Sequence, residues 1–215
     1  IIMTGHTFLF SPPVRKVKEI IDRGELGDIY FITSSRVNLG IHRKNVSVIW
    51  DLAPHDLSII SYWLGSEEPT DITVSGRDSV IEGIPDVAFI SLKYPSNVIA
   101  NIELSWLSPT KMRKTTVVGS NKMLIYDDID PAEKIRIFDK GIEIKDPETY
   151  GEYQLTYRTG DVYSPRLDNA EPLKIEFEEF LDAVVTRKTP ISDGDFGLKV
   201  VRTIEEADSK LYKSL

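Results

Sequence analysis

Asp51 and His55 are the residues whose types and spacing could do chemistry. They lie four residues apart in the run VIWDLAPHDLSII, residues 48–60. Side chains at this spacing share one face of a helix. A carboxylate and an imidazole so placed could be an acid–base pair, two ligands of a metal, or a helix cap followed by an unrelated histidine. The spacing alone leaves these three alternatives open.

The polar and apolar positions of this run separate on a helix that turns about 100° per residue. One side carries Ala53, Leu57, Ile60 and Leu64, and the opposite side carries Asp51, His55, Ser58 and Tyr62. The pattern therefore predicts that His55 points away from the core.

Pro54 favours a helix that begins near Asp51, because proline loses no intrahelical bond in a first turn. We then expect Asp51 to cap the helix or to orient the imidazole. His55 would lie in the first turn, where the helix dipole disfavours imidazolium. A neutral imidazole there can accept a proton near pH 7. A metal needs a third ligand, and nothing fixes His6 or His42 as that ligand, so no metal is predicted.

The composition excludes several classes of function. The 215 residues carry a net charge of −8, which argues against a nucleic-acid partner. The chain has no cysteine, so it has neither disulfides nor a thiol nucleophile. It shows no secretory signal and no apolar run near the ~20 residues of a membrane span. We expect a cytoplasmic protein with no membrane partner.

The periodicities predict a mixed α and β chain. Residues 1–10 read as a short buried strand and 28–40 as another. Helices are predicted from Pro12 to Gly24, across the Asp51–His55 run, and over 171–188 and 195–215.

Six strand-like segments follow one another between residues 70 and 145, separated by short turns such as Asp139–Gly141. Short joins imply antiparallel neighbours. Residues 146–170 read as a long polar loop. The fold class is therefore α+β: an open, mostly antiparallel β-sheet of about six strands, with helices on one face. The other face would leave apolar residues such as Ile90, Ile102, Leu104 and Trp106 for a partner, so we expect a homo-oligomer through the sheet.

Three stretches in order resemble the glucose-fructose oxidoreductase / inositol dehydrogenase (Gfo/Idh/MocA) family. They are GHTFLFSPPVRKVKEIIDRGELGDIYFI (5–32), WDLAPHDLSIISYWLG (50–65) and EPLKIEFEEFLDAVVTRKTPISDGDFGLKVVRTIEEADSKL (171–211). The second is similar to the family's Asp-x-x-x-His helix. The resemblance implies an oxidoreductase that uses NAD or NADP on a sugar or nucleotide-linked sugar. It assigns catalytic roles to His55, which would take the hydroxyl proton, and to Asp51.

The chain departs from that family where the cofactor binds. It contains neither a Gly-x-Gly nor a Glu-Lys-Pro sequence, so it lacks the phosphate loop of a Rossmann domain and the family's lysine. We therefore predict that the N-terminal Rossmann domain is missing. Residues 1–10 would be its last strand and 11–215 the substrate-binding and oligomerisation domain. No cofactor is expected to bind this chain firmly, and turnover by the chain alone is not expected.

Four further residues are predicted to contact substrate. Asn38, Arg43 and Asn45 precede the Asp51–His55 helix, and Arg166 could reach a phosphate or a carboxylate. The resemblance favours the branch that oxidises nucleotide-linked N-acetyl sugars or their uronic acids, with inositol or a simple sugar left open. A stand-alone sugar-binding or assembly module is the alternative, and a metal-dependent lyase or isomerase is a weaker one.

Overall fold

The fold is taken from a computed structural model that describes residues 1–145 and 154–214. A 3-10 helix at Thr7–Phe10 precedes four α-helices and eight strands. In chain order these are α1 Pro12–Asp22, β1 Ile29–Leu39, α2 Val48–Trp63, β2 Asp71–Arg77, β3 Val87–Lys93, β4 Ile99–Ser105, β5 Leu107–Gly119, β6 Met123–Asp127, β7 Ile135–Lys145, β8 Gln154–Tyr163, α3 Pro172–Thr186 and α4 Gly194–Ser214.

The strands form one open sheet in the order β2-β3-β4-β1-β5-β6-β7-β8. Only β1 and β4 run parallel, and every other neighbouring pair is antiparallel. The α+β class and the mostly antiparallel open sheet are confirmed, with eight strands instead of about six.

Parts of two segments predicted as loop or turn are strand, and residues 146–153 of the predicted loop lie outside the described residues. β8 lies inside residues 146–170, where an exposed edge strand needs no apolar alternation. The predicted turn at Asp139–Gly141 is a register shift inside β7, between Phe138 and Lys140. Such a bulge keeps the strand paired while it bends. A Cβ at Gly141 would lie 3.3 Å from the carbonyl oxygen of Asn121, so the chain packs closely at this position.

The N-terminal segment is not the strand that its apolar residues predicted. Met3 forms an isolated bridge with Asp193, and Thr7–Phe10 turns as a 3-10 helix that buries Leu9 and Phe10. The segment packs against helices, so its apolar residues serve helix packing. The two domain boundaries stay predictions.

The helices cover one face of the sheet. The largest side chains in the core between them are Trp63, Trp106 and Tyr126. Ile90, Ile102 and Leu104 are buried in the same core, as is Trp106, so the residues named for the oligomer contact were wrong. They were assigned to the wrong face, because a strand's alternation does not reveal which side the helices occupy.

The opposite face of the sheet carries a different apolar set. Cross-strand partners on β4, β1, β5, β6, β7 and β8 form one line, the apolar row: Ile99, Phe31, Val118, Met123, Phe138 and Val162. Phe31, Ile99 and Val162 are exposed. This row, and not the predicted set, leaves apolar side chains exposed on the open face of the sheet.

Candidate functional site

The start of α2 is fixed by a distant helix. The hydroxyl of Ser47 and the indole N–H of Trp50 donate to Asp208 of α4, at 2.5 and 3.0 Å. α2 therefore begins at Val48, and Pro54 lies inside it. Asp51 is not the helix cap, and His55 lies beyond the first turn. The predicted dipole effect on His55 is therefore wrong.

His55 is exposed, as the helical pattern predicted. Its ring packs against the ring of Phe8, with ring centroids 5.1 Å apart and the two planes inclined by 65°. The other partner of Phe8 is Arg36, whose guanidinium carbon lies 4.9 Å from the centroid of the Phe8 ring. His55 and Arg36 thus share one aromatic neighbour.

A buried ion pair lies beneath this group. Arg36 of β1 donates from Nε to Oδ2 of Asp56 at 2.5 Å and from Nη2 to Oδ1 at 3.4 Å. Arg36 is 4% exposed and Asp56 is 3% exposed. The Ser34 hydroxyl donates to Asp56 Oδ1 at 2.7 Å and lies 2.9 Å from the Thr115 hydroxyl. Each charge is therefore matched and hydrogen-bonded, which a buried ion pair requires.

The surroundings of His55 keep its imidazole neutral. Desolvation of the ring is the main cause that lowers the pKa of His55 below 6.5, and the positive charge of Arg36 adds to it. Asp56 opposes this shift, while Arg113 and His6 reinforce it. A neutral imidazole can accept a proton at pH 7. The neutral imidazole predicted from the sequence is thus still favoured, by desolvation and neighbouring positive charge and not by the helix dipole.

Burial also lowers the pKa of a second histidine, His6, below 6.5, and the pH dependence of stability can test this shift. The unfolded chain then binds more protons than the folded one, so stability is full above pH 6.5 and falls as the pH drops toward the folded pKa. We expect the thermal midpoint to fall less steeply with decreasing pH in His6→Gln than in the wild type. Equal slopes in scanning calorimetry would contradict the shift.

Asp51 has partners other than His55. Its Oδ2 accepts from the indole N–H of Trp106 at 3.0 Å, and its Oδ1 accepts from Nε of Arg43 at 3.4 Å. Trp106 meets His42 edge to face, with centroids 5.4 Å apart. Asp51 therefore holds the segment between β1 and α2 and does not orient the imidazole.

The remaining predicted residues are spread more widely. Asn38 lies near the end of β1, and Asn45 is exposed in the segment before α2. Arg166 lines a cavity of about 730 Å³ together with Ser11 and Lys134, and neither Asp51 nor His55 lines that cavity. The structure thus brings Arg43 to Asp51 but joins Arg166 to neither Asp51 nor His55.

The sequence reasoning missed Arg36, Asp56, Phe8 and Arg113. A usable signal existed for Arg36, since it follows Ile32 and Ser34 at inward positions of β1. A charged residue in that register needs a buried partner. Arg113 is the direct cross-strand partner of Arg36 on β5 and pairs with Asp128 at 3.4 Å.

Within residues 1–145 and 154–214, no three histidine, aspartate or glutamate side chains are grouped to hold a metal ion. In the same ranges, no helix has both the length and the apolar character to span a membrane.

The helix starts do not fit a dinucleotide. α1 begins with Pro12 and Pro13, which have no N–H to offer a phosphate. Asp208 lies against the start of α2, and Glu171 precedes α3. In α4 the Asp193 carboxylate already accepts the N–H of Phe196. These α-helices therefore offer no N-terminal phosphate site of the Rossmann kind.

Solved structures share this fold over nearly the whole chain. A UDP-N-acetylglucosamine 3-dehydrogenase from Acidithiobacillus ferrooxidans matches with a TM-score of 0.75 and 18% identity, over 99% of this chain and 62% of its own. An aldose-aldose oxidoreductase from Caulobacter crescentus matches with a TM-score of 0.77 and 16% identity, over 100% of this chain and 62% of its own.

A third structure, an oxidoreductase from Agrobacterium radiobacter in complex with NAD+, L-tartaric acid and magnesium, has a TM-score of 0.71 and 17% identity, over 99% of this chain and 63% of its own. The chain thus spans less than two thirds of the length of these structures, and identities this low show the fold alone. No curated protein matches the sequence.

The sequence model of one protein family, described as "GFO/IDH/MocA C-terminal domain", matches residues 14–125. This range contains β1, Asp51, His55 and the Arg36–Asp56 pair. This range is more than half of the chain. The chain therefore belongs to the GFO/IDH/MocA family, through the C-terminal domain of that family.

Proposed function

We propose that this chain is the substrate-binding part of an oxidoreductase that oxidises a hydroxyl group of a sugar or nucleotide-linked sugar. Within it, His55 accepts the proton of that hydroxyl. Oxidoreductases of this kind use NAD or NADP as the hydride acceptor.

The observation that carries the proposal is the state of His55. The imidazole is exposed, neutral, and placed on a helix whose start is tied to α4. A general base needs reach, a free lone pair and a fixed position, and His55 offers all three. The solved structures named above support the class of reaction, because two of them are a UDP-N-acetylglucosamine 3-dehydrogenase and an aldose-aldose oxidoreductase.

Asp51 enters the proposal as the residue that holds Arg43. The Arg43 side chain is 57% exposed, and its Nε lies 3.4 Å from Oδ1 of Asp51. We propose that Arg43, with Asn38 and Asn45, contacts the hydroxyl or acidic groups of the substrate. Arg166, at the edge of its own cavity, would contact the phosphates if the substrate is nucleotide-linked.

The test compares this chain with a longer product. The coding sequence should be expressed together with the region upstream of it, and both proteins assayed with NAD and NADP on UDP-sugars, simple sugars and inositol. We expect reduced cofactor from the longer product and none from these 215 residues alone. Turnover by the short chain would contradict the division of roles. Sugar binding by these 215 residues, with no turnover by the longer product, would favour a stand-alone binding module.

The apolar row predicts self-association through the open sheet face. Burying one large apolar side chain contributes about 1.5–3 kcal/mol, so Phe31→Glu should weaken association at least about tenfold. Sedimentation velocity over a range of concentrations measures this change. Phe177→Glu, at an exposed phenylalanine on α3 and away from the sheet, is the control. A monomeric wild type, or equal effects of both variants, would refute the sheet interface.

A further inference from the structure

The Arg36–Asp56 pair lies where it can act on His55 without touching a substrate. Arg36 is stacked on Phe8, the ring against which His55 packs, and Asp56 directly follows His55 in α2. The pair is fixed on both sides, by Ser34 and Thr115 of the sheet and by the α2 backbone. A charge pair held this rigidly gives the imidazole a constant electrostatic environment.

The next question is why two charged residues, and not apolar ones, occupy this buried position. A buried ion pair is often replaceable by apolar residues without loss of stability. Here the pair is joined by two hydroxyl groups, so that four polar side chains meet. They are Ser34 and Arg36 on β1, Thr115 on β5 and Asp56 on α2. This placement beneath the one exposed residue of α2 indicates a role besides stability.

We propose that Arg36 and Asp56 are positioning residues that set the charge of His55, with Arg36 favouring the neutral imidazole and Asp56 limiting that effect. This inference rests on the proposed function, in which His55 must be neutral to take a proton. Arg36 and Asp56 are both buried, so water screens their charges less than it would at the surface, and their effect on the imidazole is stronger.

Other charged groups also face His55, and the test must separate their contributions. Arg113 on β5 acts in the same direction as Arg36 but is partly neutralised by Asp128. His6, from the N-terminal segment, also acts on the imidazole. Arg113 and His6 both lower the pKa of His55, whereas within the pair Arg36 lowers it and Asp56 raises it, so removing the two members of the pair one at a time should give effects of opposite sign.

The experiment is an NMR titration of the imidazole Cε1–H signals of this chain, which has only three histidines. Arg36→Met should move the His55 midpoint to higher pH, and Asp56→Asn should move it to lower pH. The double variant Arg36→Met/Asp56→Asn leaves no lone buried charge, and it should move the midpoint up by less than Arg36→Met does. The double variant therefore tests the proposal if a single variant does not fold.

Arg15→Met is the matched control. Arg15 also stacks on a phenylalanine, Phe10, and pairs with a carboxylate, Glu179 at 2.8 Å, without acting on His55. It should leave the His55 midpoint unchanged. An unchanged midpoint in the folded double variant, or shifts of equal sign in both single variants, would overturn the proposal.

The titration needs no turnover, so it separates this inference from the proposed function. If the longer product is active, Arg36→Met should also move the acid limb of its kcat/KM profile to higher pH. Shifted midpoints without any activity would retain the pair's role and reject the oxidoreductase. Activity with an unshifted acid limb in Arg36→Met would overturn the role of the pair alone.

Discussion

Replacing His55 with Gln is expected to lower kcat/KM of the complete oxidoreductase by about 10²–10⁴-fold, the range for loss of a general base. Glutamine is similar in size but cannot take up a proton. The residue is exposed and makes one ring contact, with Phe8, so the fold should persist. Steady-state assays over a range of pH measure the loss, and circular dichroism checks the fold.

The pH dependence gives this prediction a second readout. The lowered pKa of His55 keeps the imidazole neutral down to pH values below 6.5, so activity should persist until the pH falls through that lowered pKa. In His55→Gln the residual activity should lack this acid limb. Tyr62→Phe, on the same helix and away from Phe8, serves as the control and should retain the wild-type profile. An acid limb that survives in His55→Gln would assign the proton to another group.

Local patterns predicted most of the helices and strands. α1 and α4 followed from their apolar periodicity, and β3 and β6 from short apolar runs between turn signals. Each of these elements buries a face that its own residues define. The class and the mostly antiparallel sheet follow from such local signals, since short joins between strands exclude long crossovers.

The features that could not be predicted from the sequence depend on contacts between distant parts of the chain. The start of α2 depends on Ser47 and Trp50 reaching Asp208, about 160 residues later. Which face of the sheet is buried depends on where α2 and α4 pack, so the residues expected at the oligomer contact were wrong. In the candidate site, Asp51 and His55 could be found by spacing, but Phe8 and Arg36 meet only through tertiary folding.

The Arg36–Asp56 pair should also dominate the stability of the site. In Arg36→Met the Asp56 carboxylate stays buried without its cation, and breaking a buried pair in this way costs about 3–5 kcal/mol. Urea unfolding followed by tryptophan fluorescence measures the change in the free energy of unfolding. Lys174→Met removes the cation of an exposed pair, whose side chains are 71% and 61% exposed, and should change little because solvent already screens that pair.

The double variant Arg36→Met/Asp56→Asn tests whether the loss comes from the lone charge or from lost packing. With the carboxylate gone, the uncompensated charge disappears, while the amide oxygen of the introduced asparagine can still accept from Ser34. We therefore expect the double variant to be more stable than Arg36→Met despite the additional substitution. A double variant as unstable as the sum of its single variants would show that the two residues do not act as a pair. Recovery would show that Asp56 is tolerated in the core because Arg36 neutralises it, which is the same relation that lets the pair act on His55.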